Sequence, residues 1–143
     1  MDLARRILAR WRRVEALKAP YAAVFLDDLS QRRLVTWWNN RVQVPLLGAP
    51  IAHHMTIKFD PSPDELRAIP IGSQGKLQVI GYAADERGQA VLVRSNVRSH
   101  NANPHVTVSV APGTDAVYSN DLLKRSVVYV QGPQLTGTVG VET

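Results

Sequence analysis

Apolar residues recur in two rhythms along this chain. Over residues 1–18, Leu3, Ile7, Trp11, Val14 and Leu17 return at spacings of three and four, which predicts an amphipathic helix. Pro20 helps to end it. The run "YAAVFLD" that follows is dense in strand formers and reads as a buried strand. In "DLSQRRLVTWWNN", Leu34, Val35, Trp37 and Trp38 stand among polar residues, which predicts a second helix with Ser30 as its N-cap and Pro45 beyond its end. Gly48 and Pro50 mark a loop, "PSPDELRAI" a turn and short helix, and Gly72 to Gly75 a further turn. Two apolar runs around "ADERG", within residues 76–95, predict a hairpin. "DAVYSNDLLKR" reads as a helix or helical turn, and "SVVYVQGPQLTGTVGVE" closes the chain with one or two strands. Helices and strands interleave, yet the best-defined connection is a hairpin. The expectation is therefore a single α+β domain over residues 1–143, built on antiparallel rather than doubly wound parallel sheet.

Two further strands carry a repeated phrase. "HHMTIKF" (53–59) is echoed by "PHVTVSV" (104–110), fifty-one residues later, and each sets a threonine two places after a histidine. Side chains two apart share one face of a strand. His54, Thr56 and Lys58 should thus point one way, and His53, Met55, Ile57 and Phe59 the other. In the second copy His105, Thr107 and Ser109 oppose Val106, Val108 and Val110. Apolar strands lead into both motifs, "AAVFLDD" into the first and "AVLVRSN" into the second, which suggests two related halves.

Composition narrows the chemistry available. No cysteine is present, so disulfides, thiolate metal sites and thiol nucleophiles are excluded, and the four histidines carry any nucleophile or metal role. No apolar run approaches the roughly 20 residues of a membrane helix, and the N-terminus lacks a signal-peptide core, so a cytoplasmic protein without membrane contact is expected. Of the net charge of +5, an excess of four positive charges falls within residues 1–20. A basic helix face is either simply solvated or attracts polyanions such as RNA.

Paired histidines suit acid–base chemistry. Cleaving a phosphodiester requires one group to take a proton from the attacking oxygen and another to protonate the departing one, while donors steady the non-bridging oxygens. Imidazole titrates near neutral pH and can do either. Thr56 and Thr107 would donate to phosphate oxygens, and Lys58 would add charge. A zinc site would need at least three ligands. His53 and His54 face opposite ways in a regular strand, His100 would have to join from a loop, and no HExxH pattern occurs, so no metal is expected.

"HHMTIKF" and "PHVTVSV" resemble the paired HxT motifs of the two-histidine (2H) phosphoesterase superfamily, which includes the LigT-like RNA cyclic phosphodiesterases. The resemblance spans roughly Tyr21 to Val110. It implies a two-lobed, pseudo-two-fold α+β fold with outer helices, whose HxT strands line one central cleft without cofactor or metal. By motif position His54 and His105 would be catalytic, with Thr56 and Thr107 binding phosphate. The implied substrate is a nucleotide or RNA bearing a cyclic phosphodiester. Some members of the superfamily open 2',3'-cyclic phosphate RNA ends; others, some from bacteriophages, degrade cyclic nucleotide or oligonucleotide messengers of antiviral defence. The basic N-terminal helix leans slightly toward an RNA end. A non-catalytic RNA- or nucleotide-binding module is the alternative from another class. His53 has no place in the motif and is expected to pack or hydrogen-bond behind the first strand.

Overall fold

In the computed structural model, which describes residues 20–143, the apolar run after Pro20 forms β1 (Tyr21–Leu26). The basic helix expected over residues 1–18 lies outside the described residues. Helix α1 (Asp28–Trp37) is capped by Asp27, whose carboxylate accepts from Ser30 N at 2.7 Å. Ser30 is therefore not the cap: it sits buried in the first turn, where its Oγ accepts from Thr136 N at 2.8 Å. A π-helical turn, Trp38–Val42, extends α1 and ends at Gln43, whose φ of 62° is left-handed. Next come β2 (His54–Phe59) and α2 (Pro63–Ala68), the latter held by a Ser62–Glu65 capping box. The expected hairpin is β3 (Gln74–Ala84) with β4 (Gly88–Ser95). The chain completes with β5 (His105–Val110), α3 (Tyr118–Arg125), β6 (Val128–Tyr129) and β7 (Gln134–Glu142).

The architecture is α+β, with all strand pairings antiparallel and the order β4-β5-β2-β1-β7-β3-β6. Because β3 also pairs with β4, six strands close on themselves and β6 extends β3 alone. The enclosed core takes Val24 from β1, Met55 and Ile57 from β2, Val106 and Val108 from β5, and Leu77 and Leu135 where β3 meets β7. Leu34 and Trp38 pack on it from α1 and its extension. A second cluster joins Ala90 and Leu92, on the other face of β4, to Tyr118, Leu122 and Leu123 of α3. No helix among the described residues is long and apolar enough to cross a membrane.

Register fixes where the motif residues go. Along β1–β2 the pairs run Phe25–His54, Val24–Met55, Ala23–Thr56 and then Ala22–Lys58, leaving Ile57 as an extra, bulged residue. Along β4–β5 they run Leu92–His105, Val91–Val106, Ala90–Thr107 and then Gln89–Ser109, leaving Val108 extra. Each HxT strand thus bulges at the residue after its threonine. A bulge reverses the alternation beyond it. Lys58 and Ser109, expected beside the histidines and threonines, are accordingly turned out of that face, and Phe59 is turned toward it.

Gly137 of β7 lies so close to β1 that an added Cβ would collide with the Phe25 carbonyl oxygen. Gly137→Ala should therefore force the β1–β7 ladder apart and lower Tm by roughly 5–10 °C, the scale of a 1–3 kcal/mol overpacking in a domain this size. Thermal unfolding followed by circular dichroism measures this, and an unchanged Tm would contradict the close approach.

Candidate active site

β2 and β5 meet at Met55 and Val106, both fully buried. Antiparallel geometry then sets His54 opposite Thr107 and Thr56 opposite His105, all four on the face away from the core. These four residues form the floor of one cavity of about 350 Å³. Tyr21 and Phe59 from the β1–β2 pair also line it, with Ile51 and Asn101 from loops, and Asp115, Val117 and Asn120 from the start of α3 and the loop before it. Phe59 is 63% exposed and Val117 66%, so both present apolar surface at the mouth. Lys58 is outside the lining; its Nζ lies 3.6 Å from Glu65 of α2, a consequence of the Ile57 bulge. Ser109 is also elsewhere, buried against Gln89 and Leu47 N.

The two imidazoles have unlike supports. His105 Nδ1 is 2.7 Å from the carbonyl oxygen of Asn103, which can only accept. The Nδ1 proton is thereby fixed, and in the neutral ring Nε2 keeps its lone pair. His54 Nδ1 instead lies 2.9 Å from His53 Nδ1, with the rings nearly perpendicular at 88°. The expectation that His53 turns behind the strand is overturned by the backbone just before β2. Continuing the Met55–Val106 register would put Ala52 opposite Ser109, yet Ala52 N donates to the Thr107 carbonyl at 2.9 Å, and Ala52 adopts a φ of 42°. His53 consequently precedes the regular strand and its ring swings beside His54. Tyr21 and Phe25 flank His54 at ring-centre distances of 5.0 and 5.8 Å.

The threonines differ as well. Thr107 Oγ1 is 2.8 Å from Ser119 Oγ of α3, both buried. With Ser119 donating, the Thr107 proton is free to point into the cavity. Helix α3 is fixed by a polar knot in which Tyr118 OH and Arg125 both donate to the Asp85 carboxylate of the β3–β4 turn. Thr56 sits on the more open side, next to Phe59. No local pattern singles out Tyr21, Ser119 or Asn103; the polar loop "NVRSHNAN" before the second motif, source of Asn101 and Asn103, is the nearest signal.

Burial sets the charge state. His54 is pushed down to about 4, first by desolvation and then by the neighbouring His53 and His105. Desolvation also lowers His105, against the raising effect of its Asn103 hydrogen bond. Tyr21 is pushed up to about 12 by burial and by Glu142, so its phenol stays a donor. Among the described residues, no three His, Asp or Glu side chains are grouped as a metal site would need.

A histidine depressed in the folded state binds its proton more readily when unfolded. Between about pH 6.5 and 4 the unfolded chain therefore takes up protons that the native cavity refuses, and stability falls on acidification through that window. Tm measured from pH 7 to 4.5 should drop more steeply for wild type than for His54→Gln, whose amide does not titrate; parallel curves would contradict the buried, uncharged His54. No protein-family model and no curated protein matches the chain, so the meaning of this cavity rests on its geometry.

Proposed function

We propose that the protein is a metal-independent phosphodiesterase of the two-histidine kind, hydrolysing a cyclic phosphodiester of a nucleotide. One observation carries the reading: two imidazoles and two threonine hydroxyls alternate across a strand seam on the floor of a single cavity. Further support comes from the registers, in which β1–β2 and β4–β5 match residue for residue through the bulge, as two lobes related by a pseudo-two-fold axis would. The cavity volume lies in the range of small-ligand sites. Tyr21 and the exposed Phe59 offer aromatic surface on which a base can stack.

In this reading the cyclic phosphate sits over the seam. Thr56 and Thr107 donate to its non-bridging oxygens, and Ser119 orients the Thr107 hydroxyl. His105 Nε2, left with its lone pair by the Asn103 hydrogen bond, takes a proton from the attacking water. The new P–O bond forms as the ester P–O bond breaks, and His54 Nε2 supplies a proton to the departing ribose oxygen. The products are a phosphate monoester and a free hydroxyl. Two imidazoles supply both proton transfers, so no metal ion has a required role.

A screen of 2',3'-cyclic mononucleotides, an oligonucleotide with a cyclic phosphate end, 3',5'-cyclic mononucleotides and cyclic dinucleotides should find turnover that EDTA leaves unchanged. On the best substrate His54→Ala and His105→Ala, shown to be folded, should each lose roughly 10²- to 10⁴-fold in kcat. Thr56→Ala and Thr107→Ala should lose less. Phe59→Ala should raise KM by about 5- to 150-fold with kcat retained, the scale of 1–3 kcal/mol for one base stacked on an aromatic ring. Near-normal turnover in either histidine variant would sink the proposal, and tight nucleotide binding without turnover in wild type would identify a binding module instead.

A further inference from the structure

Desolvation makes a buried imidazolium unfavourable at His54, yet the proposed reaction needs an acid at that position. His53 resolves the conflict. It is exposed, whereas His54 is largely enclosed, and their Nδ1 atoms lie 2.9 Å apart. A contact of that length between two ring nitrogens holds one proton between them. The placement is built in rather than incidental. Ala52 takes a left-handed φ of 42°, a conformation disfavoured for a residue with a Cβ. His53 itself is anchored by its carbonyl accepting from Leu26 N at 3.0 Å and by its ring meeting Phe25 edge-on at 5.6 Å.

We infer that His53 and His54 act as one two-imidazole acid, in which exposed His53 holds the positive charge and His54 delivers the proton. This rests on the phosphodiesterase reading of the cavity. In the loaded state His53 is protonated on both ring nitrogens and donates from Nδ1 to His54 Nδ1, while neutral His54 points Nε2–H at the leaving oxygen. As the ester bond breaks, the Nε2 proton passes to the leaving oxygen and the His53 Nδ1 proton passes to His54 Nδ1. His53 is left neutral with its Nε2 proton, and His54 neutral with its proton on Nδ1. His105, meanwhile, has gained the proton of water. The cycle closes when His105 releases that proton through solvent to His54 Nε2 and the Nδ1 proton returns to His53. Other ionisable groups near the pair are Tyr21 from β1, His105 from β5, and Asp115 on the cavity wall; burial keeps the Tyr21 phenol protonated. His53 is thus a positioning and proton-supplying residue that does not touch substrate.

Two measurements test this. In ¹⁵N NMR of the wild-type histidine rings from pH 8 to 5, His53 should become doubly protonated while His54 stays neutral with its proton on Nε2. A His54 that takes the charge first, or that carries its neutral proton on Nδ1, would overturn the inference. In kinetics, His53→Gln keeps a donor beside His54 Nδ1 but has no proton to release. It should hold KM within about 2-fold, lose roughly 10- to 100-fold in kcat, and shift the loss of activity on raising pH to lower pH, because His54 must then charge alone. A purely structural His53 would be rescued by glutamine, with wild-type rate and pH profile, and that result also overturns the inference. If wild type turns over no phosphodiester at all, the phosphodiesterase reading fails, while the NMR titration still decides whether the proton is shared.

Discussion

Between β2 and β5 the regular ladder is reduced to a short seam at Met55 and Val106. Met55 and Val106 bury their side chains on one side of it and so drive two histidines and two threonines to the other. The seam is kept short from every direction. Ile57 bulges beyond it in β2, Val108 bulges beyond it in β5, and the left-handed Ala52 breaks the approach. A longer regular ladder would carry Lys58 and Ser109 onto the cavity face and turn Phe59 away. Beyond the seam, Ile51 N and Ala52 N donate to the Val108 and Thr107 carbonyls, and a buried polar network adds to them: Gln89 Nε2 donates to the Pro45 carbonyl at 2.7 Å, its oxygen accepts from Ser109, and Ser109 Oγ accepts from Leu47 N at 3.1 Å. Leaving any member of that network unpaired would cost about 1–3 kcal/mol, so it ties the loop before the first motif to the strand of the second.

Placing imidazoles on a half-enclosed floor has an electrostatic consequence. Withdrawal from water disfavours the charged form of both His54 and His105, and their proximity adds to the effect at His54. The floor thus favours uncharged rings, and in the proposed reaction the arrival of an anionic phosphate would favour a proton on the nearest one. Asp115 opposes this from the wall, on the side where Thr107 and Ser119 supply hydroxyl donors. Preorganised donors in a site with little water act more strongly than the same groups in solution.

Much of this was legible in the sequence because it follows from period. Strand alternation placed His54 with Thr56 and His105 with Thr107, and the apolar runs around "ADERG" gave the hairpin. Lys58, Phe59, Ser109 and His53 escaped for a common reason, which is that period-two reasoning assumes an unbroken strand, and β5 too is broken by the Val108 bulge. Lys58 and Phe59 exchange faces at the Ile57 bulge, and His53 escapes the opposite face because Ala52 ends the regularity one residue before it. The helix cap was missed differently: Ser30 and Asp27 are both good capping residues, and only the start of α1 at Asp28 decides for Asp27. Ser119 and Asn103 were invisible because their roles arise from contacts of α3 and a loop with β5, which no local pattern encodes.

A repeated motif presents a chemical difficulty, since an acid and a base must be unlike while two copies of one motif are alike. In the proposed reaction the difference is supplied wholly by residues outside the motif. A carbonyl acceptor beside His105 fixes which nitrogen is bare, whereas an imidazole beside His54 can give as well as take a proton. The threonines are likewise distinguished, one held by Ser119 within a packed helix and the other beside the open aromatic rim. Duplicated strands can therefore supply the symmetric scaffold, a pair of rings across a seam, and the flanking chain need change only two neighbours to divide the labour between them. On that view the His53 ring beside one histidine and the main-chain carbonyl of Asn103 beside the other set the direction of proton flow, the first as a group that can release a proton and the second as one that can only accept.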